Sequence, residues 1–189
     1  MDWNAQLNVD YEFAKNMVLT EGAVSAMFVI YTGDIRKVFG VELDNKELVT
    51  TFMRIVTIAE NADAVSFLAE AWTKSFKREA GETDDSMYAQ IEKTPISEQP
   101  GREEVIIVTC TYFNDDDNRH ELVKMGRIDR GESGKPFRIV DMKEESYDSS
   151  KGIFSSILPV RRPTYAQRRR ARIILPGLMD RFSIKMLKT

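Results

Sequence analysis

Glu70, Glu98 and Glu103 are the carboxylates in this chain whose setting around Arg102 could support acid and base chemistry, provided that a cleft separated their pKa values. Pro100 fixes a turn between Glu98 and Arg102, and Glu70 and Trp72, two positions apart, share one face of a strand. The same residues suit a structural corner, Glu70, Trp72, Glu98 and Arg102, in which the guanidinium pairs with a carboxylate and closes a sheet. That second reading is preferred, because no motif marks a cleft. Cys110, the single cysteine, sits in Val-Ile-Ile-Val-Thr-Cys-Thr-Tyr-Phe and reads as a buried thiol. With His120 as the single histidine, neither a disulfide nor a four-ligand Cys/His zinc site can form within the chain. Asp115-Asp116-Asp117 lacks the spaced oxygens and closing Glu of a calcium loop and reads as a solvated hairpin tip. Phosphate-binding glycine loops, G-x-S-x-G and H-E-x-x-H are absent, so no cofactor, no metal and no enzymatic activity are expected.

Charge is divided sharply. Residues 151–189 carry ten basic side chains against one acid, a net +9, whereas residues 1–150 carry −12 of the overall −3. Arg161, Arg162, Arg168, Arg169, Arg170 and Arg172 supply planar, permanently charged forks, and Ile173, Ile174, Leu175, Leu178 and Phe182 are interleaved with or follow them. Bare polycationic tails lack such apolar residues, and each one left in water forgoes about 1.5–3 kcal/mol of burial. The segment is therefore expected to attach to something.

The elements that position these residues read as follows. Asp10 is expected to cap a short helix carrying Phe13, Met17 and Val18, stopped by Gly22. Val24 to Tyr31 and Ile35 to Val41 read as a hairpin around Thr32-Gly33-Asp34. Asp44 and Glu47 form a capping-box pattern before Leu48, Val49, Phe52, Ile55, Val56 and Ala59, which repeat at helical spacing until Asn61-Ala62-Asp63. Ala64 to Trp72 reads as a strand, 73–101 as a long polar excursion with a short helix near Ser86 to Ile91, and 105–113, 121–128 and 137–142 as a meander. The expected fold is α+β: an antiparallel or mixed sheet of about six strands covered by helices on one face, with a basic C-terminal arm. An acidic domain over 1–150 and an arm over 151–189 are expected, with a helix from Thr164 to Leu175 between Pro163 and Pro176.

Ala64 to Trp72, ending Glu-Ala-Trp, followed by Ser97-Glu98-Gln99-Pro100-Gly101-Arg102-Glu103 and an apolar strand, resembles a pattern in small uncharacterised bacterial and phage proteins. The resemblance spans roughly residues 45–140, with Gln99 where His or Gly often precedes the proline. It implies a shared α+β fold and no activity.

The N-terminus has no basic and apolar leader pattern, and the longest apolar stretch, near Ala26 to Tyr31, is far short of the ~18 residues of a membrane span. A cytoplasmic location is expected. The expected function is that of a non-enzymatic interaction or assembly protein, anchored to an acidic protein surface or to its own oligomer. Its partner-binding residues would be Arg161, Arg162, Arg168, Arg169, Arg170, Arg172, Ile173, Leu178 and Phe182. The alternatives are a nucleic-acid accessory protein using the same arginines, and a small acid/base enzyme using Glu70, Glu98 or Glu103.

Overall fold

A computed structural model describes residues 1–43, 45–74, 94–143, 156–182 and 186–187. Helix α1 (Trp3–Glu21) leads into the hairpin β1 (Met27–Thr32) and β2 (Ile35–Gly40), and helix α2 (Lys46–Glu60) leads into β3 (Ala64–Thr73). A 3-10 turn (Ile96–Glu98) precedes the meander β4 (Glu103–Phe113), β5 (Arg119–Arg130) and β6 (Pro136–Asp141). Helix α3 (Tyr165–Phe182) and the two-residue strand β7 (Met186–Leu187) follow. The sheet order is β6-β5-β4-β3-β1-β2-β7, and every pairing is antiparallel.

Because β1 lies between β2 and β3 and is antiparallel to both, β2 and β3 run in the same direction. Their connection must cross the sheet, and α2 is that crossover. Asn45 caps it, its side chain accepting from the Leu48 N–H at 3.0 Å, and Asn61 ends it in the left-handed region at φ 54°. The expected cap, Asp44, lies outside the described residues, as does the expected helix near Ser86 to Ile91. Asp10 is not a cap: α1 starts two turns earlier, where Asp2 accepts from the N–H groups of Asn4 and Ala5 at 3.0 and 3.1 Å. Gly22 does stop the helix, with φ 88° and its N–H donating to Val18 O.

Helices cover both faces of the sheet, where one face was expected. The alternation of β1 requires this, since Met27, Val29 and Tyr31 point to one side, Phe28 and Ile30 to the other, and all five are buried. A continuous apolar strand is the mark of a sheet buried on both sides. On the first face α1 presents Leu7, Tyr11, Ala14 and Val18 at helical spacing to Leu68, Ile106, Val108, Cys110 and Ile128. On the second, Val49, Phe52, Met53 and Val56 of α2 pack on Phe28, Ile30, Val65 and Phe67 together with Ile157 and Leu158.

The buried Asp10 anchors the first face. The Tyr31 hydroxyl lies 2.8 and 2.6 Å from its two carboxylate oxygens, and Gln6 Nε2 reaches both groups at 3.1 Å. Burial, reinforced by the Asp10 charge, pushes the Tyr31 phenol well above its ordinary value.

Tyr11 sits over β5 where Gly126 leaves room, its hydroxyl donating to Asp141 Oδ1 at 2.8 Å. A Cβ at position 126 would lie 2.1 Å from Tyr11 Oη and 2.7 Å from Ile139 Cγ2. Gly126→Ala is therefore expected to destabilise the fold by about 1–3 kcal/mol, the range of core overpacking. Chemical denaturation measures this. The cost should fall in a Tyr11→Phe background, where the clashing oxygen is gone.

Candidate functional site

The basic segment is built onto the second face by a set of specific contacts. Ile157 and Leu158 are buried in the core, with Ile157 O accepting from Thr57 Oγ1 at 3.0 Å and Leu158 O from Arg119 Nη1 at 2.9 Å. Arg162 then spans two loops. Its Nη1 donates to Asp63 Oδ1 at 2.8 Å, its Nε donates to Asp117 Oδ1, and its guanidinium lies 5.0 Å from the Phe113 ring centre. Burial alone would raise the Asp63 carboxyl, but the Gly33 N–H and Arg162 together hold it below the usual range.

Thr164 and Gln167 start α3 as a reciprocal capping box: Gln167 Oε1 accepts from the Thr164 N–H at 2.8 Å and Thr164 Oγ1 from the Gln167 N–H at 3.3 Å. The helix does not stop before Pro176 but runs through it to Phe182. A helix-interior proline costs about 3 kcal/mol. Contacts of Leu175, Leu178 and Met179 with the second core, on both sides of the proline, offset that cost. Arg172 Nε donates to Ala59 O at 2.8 Å, satisfying one of the terminal carbonyls of α2 at the negative end of its dipole.

This docking divides the expected partner-binding residues. Arg162, Arg172 and Leu178 contact the chain's own body, Ala171 is buried, and Arg168 is half-buried. Arg161, Arg169, Arg170 and Ile173 face outward, and those three arginines form no ion pair among the described residues. The Phe182 side chain lies outside the described residues, as does the boundary expected near Ser150. Beside the outward arginines stand Val160 (64% exposed), Tyr165 (72%), Ile173 (69%) and Ile174 (49%). Val160 and Tyr165 escape a reading based on charge alone. The spacing Tyr165, Arg169, Ile173, one turn apart each time, is the signal that finds them.

The expected corner is rearranged. Arg102 stacks on Trp72, its guanidinium 4.9 Å from the ring centre, while the arginine facing Glu70 is Arg130 at 3.6 Å. Arg130 binds Glu104 through two nitrogens at 2.7 and 2.6 Å and donates to Gly22 O at 3.3 Å. Glu70 accepts from the Val24 N–H at 2.7 Å. The cluster thus pins the chain leaving α1 to the sheet. Burial raises the Glu70 carboxyl despite Val24 and Arg130, whereas the Arg130 hydrogen bonds hold Glu104 down.

Glu98 is exposed, and Glu103 reaches Arg127 at 3.3 Å. In β3 and β4, Glu70 pairs with Ile106, so it shares a face with Glu104 and Glu103 lies on the other. The three carboxylates proposed for acid/base chemistry are not brought together.

Among the described residues no group of three or more His, Cys, Asp or Glu is placed to hold a metal ion, and no helix is long and apolar enough to cross a membrane. His120 is exposed and stacked on Tyr112 with ring centres 5.7 Å apart. A cleft of about 620 Å³ opens where the β1–β2 and β4–β5 turns meet the start of α1; Asp34, Asp115 and Asp117 line it with Trp3, Tyr112 and Arg162. No protein family matches the chain, and neither a curated protein nor a solved structure is significantly similar to it.

Two outcomes follow from these environments. Cys110 is fully buried and burial pushes its thiol up to about 12, so thiol reagents should label it only under denaturing conditions, as mass spectrometry would show. Asp63→Asn should lower stability at pH 7 by about 1.5–3 kcal/mol, the range for hydrogen bonds to a charged group. Since the folded carboxyl is depressed, that difference is fully present above the unfolded pKa of about 3.9 and shrinks as pH falls through the lower folded value. Denaturation curves of both proteins at pH 7 and pH 3 provide the check.

Proposed function

We propose that the chain is a non-enzymatic interaction protein and that the outward face of α3 is its binding surface, fitted to an acidic protein surface. The observation that carries this reading is the coexistence, on the face of α3 opposite the docked one, of exposed Tyr165, Ile173 and Ile174 with Arg169 and Arg170, which, like Arg161 just before the helix, form no ion pair among the described residues. Charge selects an acidic counterpart and apolar area holds it. The docked face, through Ala171, Leu175 and Leu178, fixes the rotation of the helix and so presents this surface in one orientation.

A nucleic-acid ligand is the second reading, favoured by the same three outward arginines. It predicts binding that depends on phosphate contacts and falls steeply with salt. An acidic body within the ~8 Å Debye length of physiological salt opposes it.

Deleting residues 151–189 would not separate these readings, because Ile157 and Leu158 belong to the core. Point substitution on the outward face does. In fluorescence anisotropy, a helical peptide rich in Glu and Leu should bind the full chain at physiological salt, and Ile173→Asp should weaken it about tenfold, equivalent to ~1.4 kcal/mol. A DNA duplex should release between low and physiological salt. Duplex binding that persists and is indifferent to Ile173→Asp would transfer the function to nucleic acid.

A further inference from the structure

The same chain carries two surfaces of opposite charge. One is the outward face of α3, with Arg169 and Arg170, which form no ion pair among the described residues. The other is the cleft, walled by Trp3 stacked on Tyr112 at 5.8 Å, with Asp34 and Asp115 on its rim and in no ion pair among the described residues. Its chemistry toward a guanidinium is displayed within the chain. Arg162 enters one side of it, held by Asp63 and Asp117 over the Phe113 ring, and Asp34, Asp115, Trp3 and Tyr112 supply carboxylates and aromatic surface to the rest of the lining.

Arg169 and Arg170 face away from those acids in their own copy, because Ala171, Arg172, Leu175 and Leu178 fix the opposite side of α3 against the second core. A symmetric contact between two α3 helices is disfavoured, since it would oppose like charges. We infer that the outward face of α3 docks on the acidic cleft of a second copy of this chain, Arg169 and Arg170 meeting Asp34 and Asp115, with Tyr165 and Ile173 covering the aromatic wall. This rests on the reading of α3 as an interaction surface and names its partner. An arm-to-cleft contact of this kind closes as a two-fold dimer if both contacts form at once, and otherwise grows head to tail.

Sedimentation velocity of the full chain tests it. The mass should rise with concentration at low salt and fall as salt is added. Arg169→Glu/Arg170→Glu and Asp34→Lys/Asp115→Lys, all at exposed positions, should each be monomeric with unchanged thermal unfolding. An equimolar mixture of the two variants should form a one-to-one complex, because one intact arm and one intact cleft remain. A monomeric wild type, self-association that survives in either variant, or a mixture that does not combine would overturn the inference. If the wild type is monomeric yet the acidic peptide still binds in an Ile173-dependent manner, only the second copy is excluded and the interaction surface stands. If the α3 substitutions change neither mass nor peptide binding, both readings fall together.

Discussion

The structure depends on β1 being apolar on both sides. A strand that buries Phe28 and Ile30 on one face and Met27, Val29 and Tyr31 on the other cannot sit in a two-layer fold with one face wet. Each half of the chain answers this requirement differently. Among the described residues, the N-terminal helix α1 covers one face. The other face is covered by the crossover helix α2 together with Ile157 and Leu158, which are drawn in from the far end of the sequence. The described part of the C-terminal segment is thus a structural layer on its inner side.

Polar contacts pin these layers where hydrophobic contact alone would let them slide. Asp10 and Tyr31 hold α1 from within, and Arg130 with Glu70 and Glu104 holds the chain where it leaves that helix. On the opposite side, Arg162 joins the α2–β3 link to the β4–β5 turn, and Arg172 ties α3 to the end of α2. Several arginines that look, in sequence, like a uniform polycation therefore have distinct tasks. Two are internal fasteners, and those that face solvent are left with apolar neighbours.

Much of the fold was legible in the sequence because its signals are local. Gly22 and Asn61 stop their helices, Thr32-Gly33-Asp34 and residues 114–118 turn the chain, and the order of helices and strands follows the change from helical to alternating periodicity. What was not legible is set by tertiary context. Asp10 has the chemistry of a cap, yet its partner is Tyr31, on the neighbouring strand, and the helix runs past it. Pro176 has the chemistry of a terminator, yet packing carries the helix through it. Arg102 and Glu70 are plausible partners by type, but the register of β3 on β4 and β5 places Arg130 there instead. For the proposed binding surface, composition points to the segment, and only the docked geometry separates Arg162 and Arg172 from Arg169 and Arg170.

The contact between Thr57 and Ile157 joins residues a hundred positions apart, and it helps to seal a face whose other buried components, Leu158 aside, are all in place by the end of β4. During synthesis the sheet and α2 emerge well before the residues that finish their cover. Until the C-terminal region leaves the ribosome, Phe28, Phe52 and Phe67 share an incompletely closed layer, a nascent state of the sort that chaperones protect from aggregation. A stop codon ahead of Ile157 would thus act as a folding lesion rather than as the simple loss of a tail.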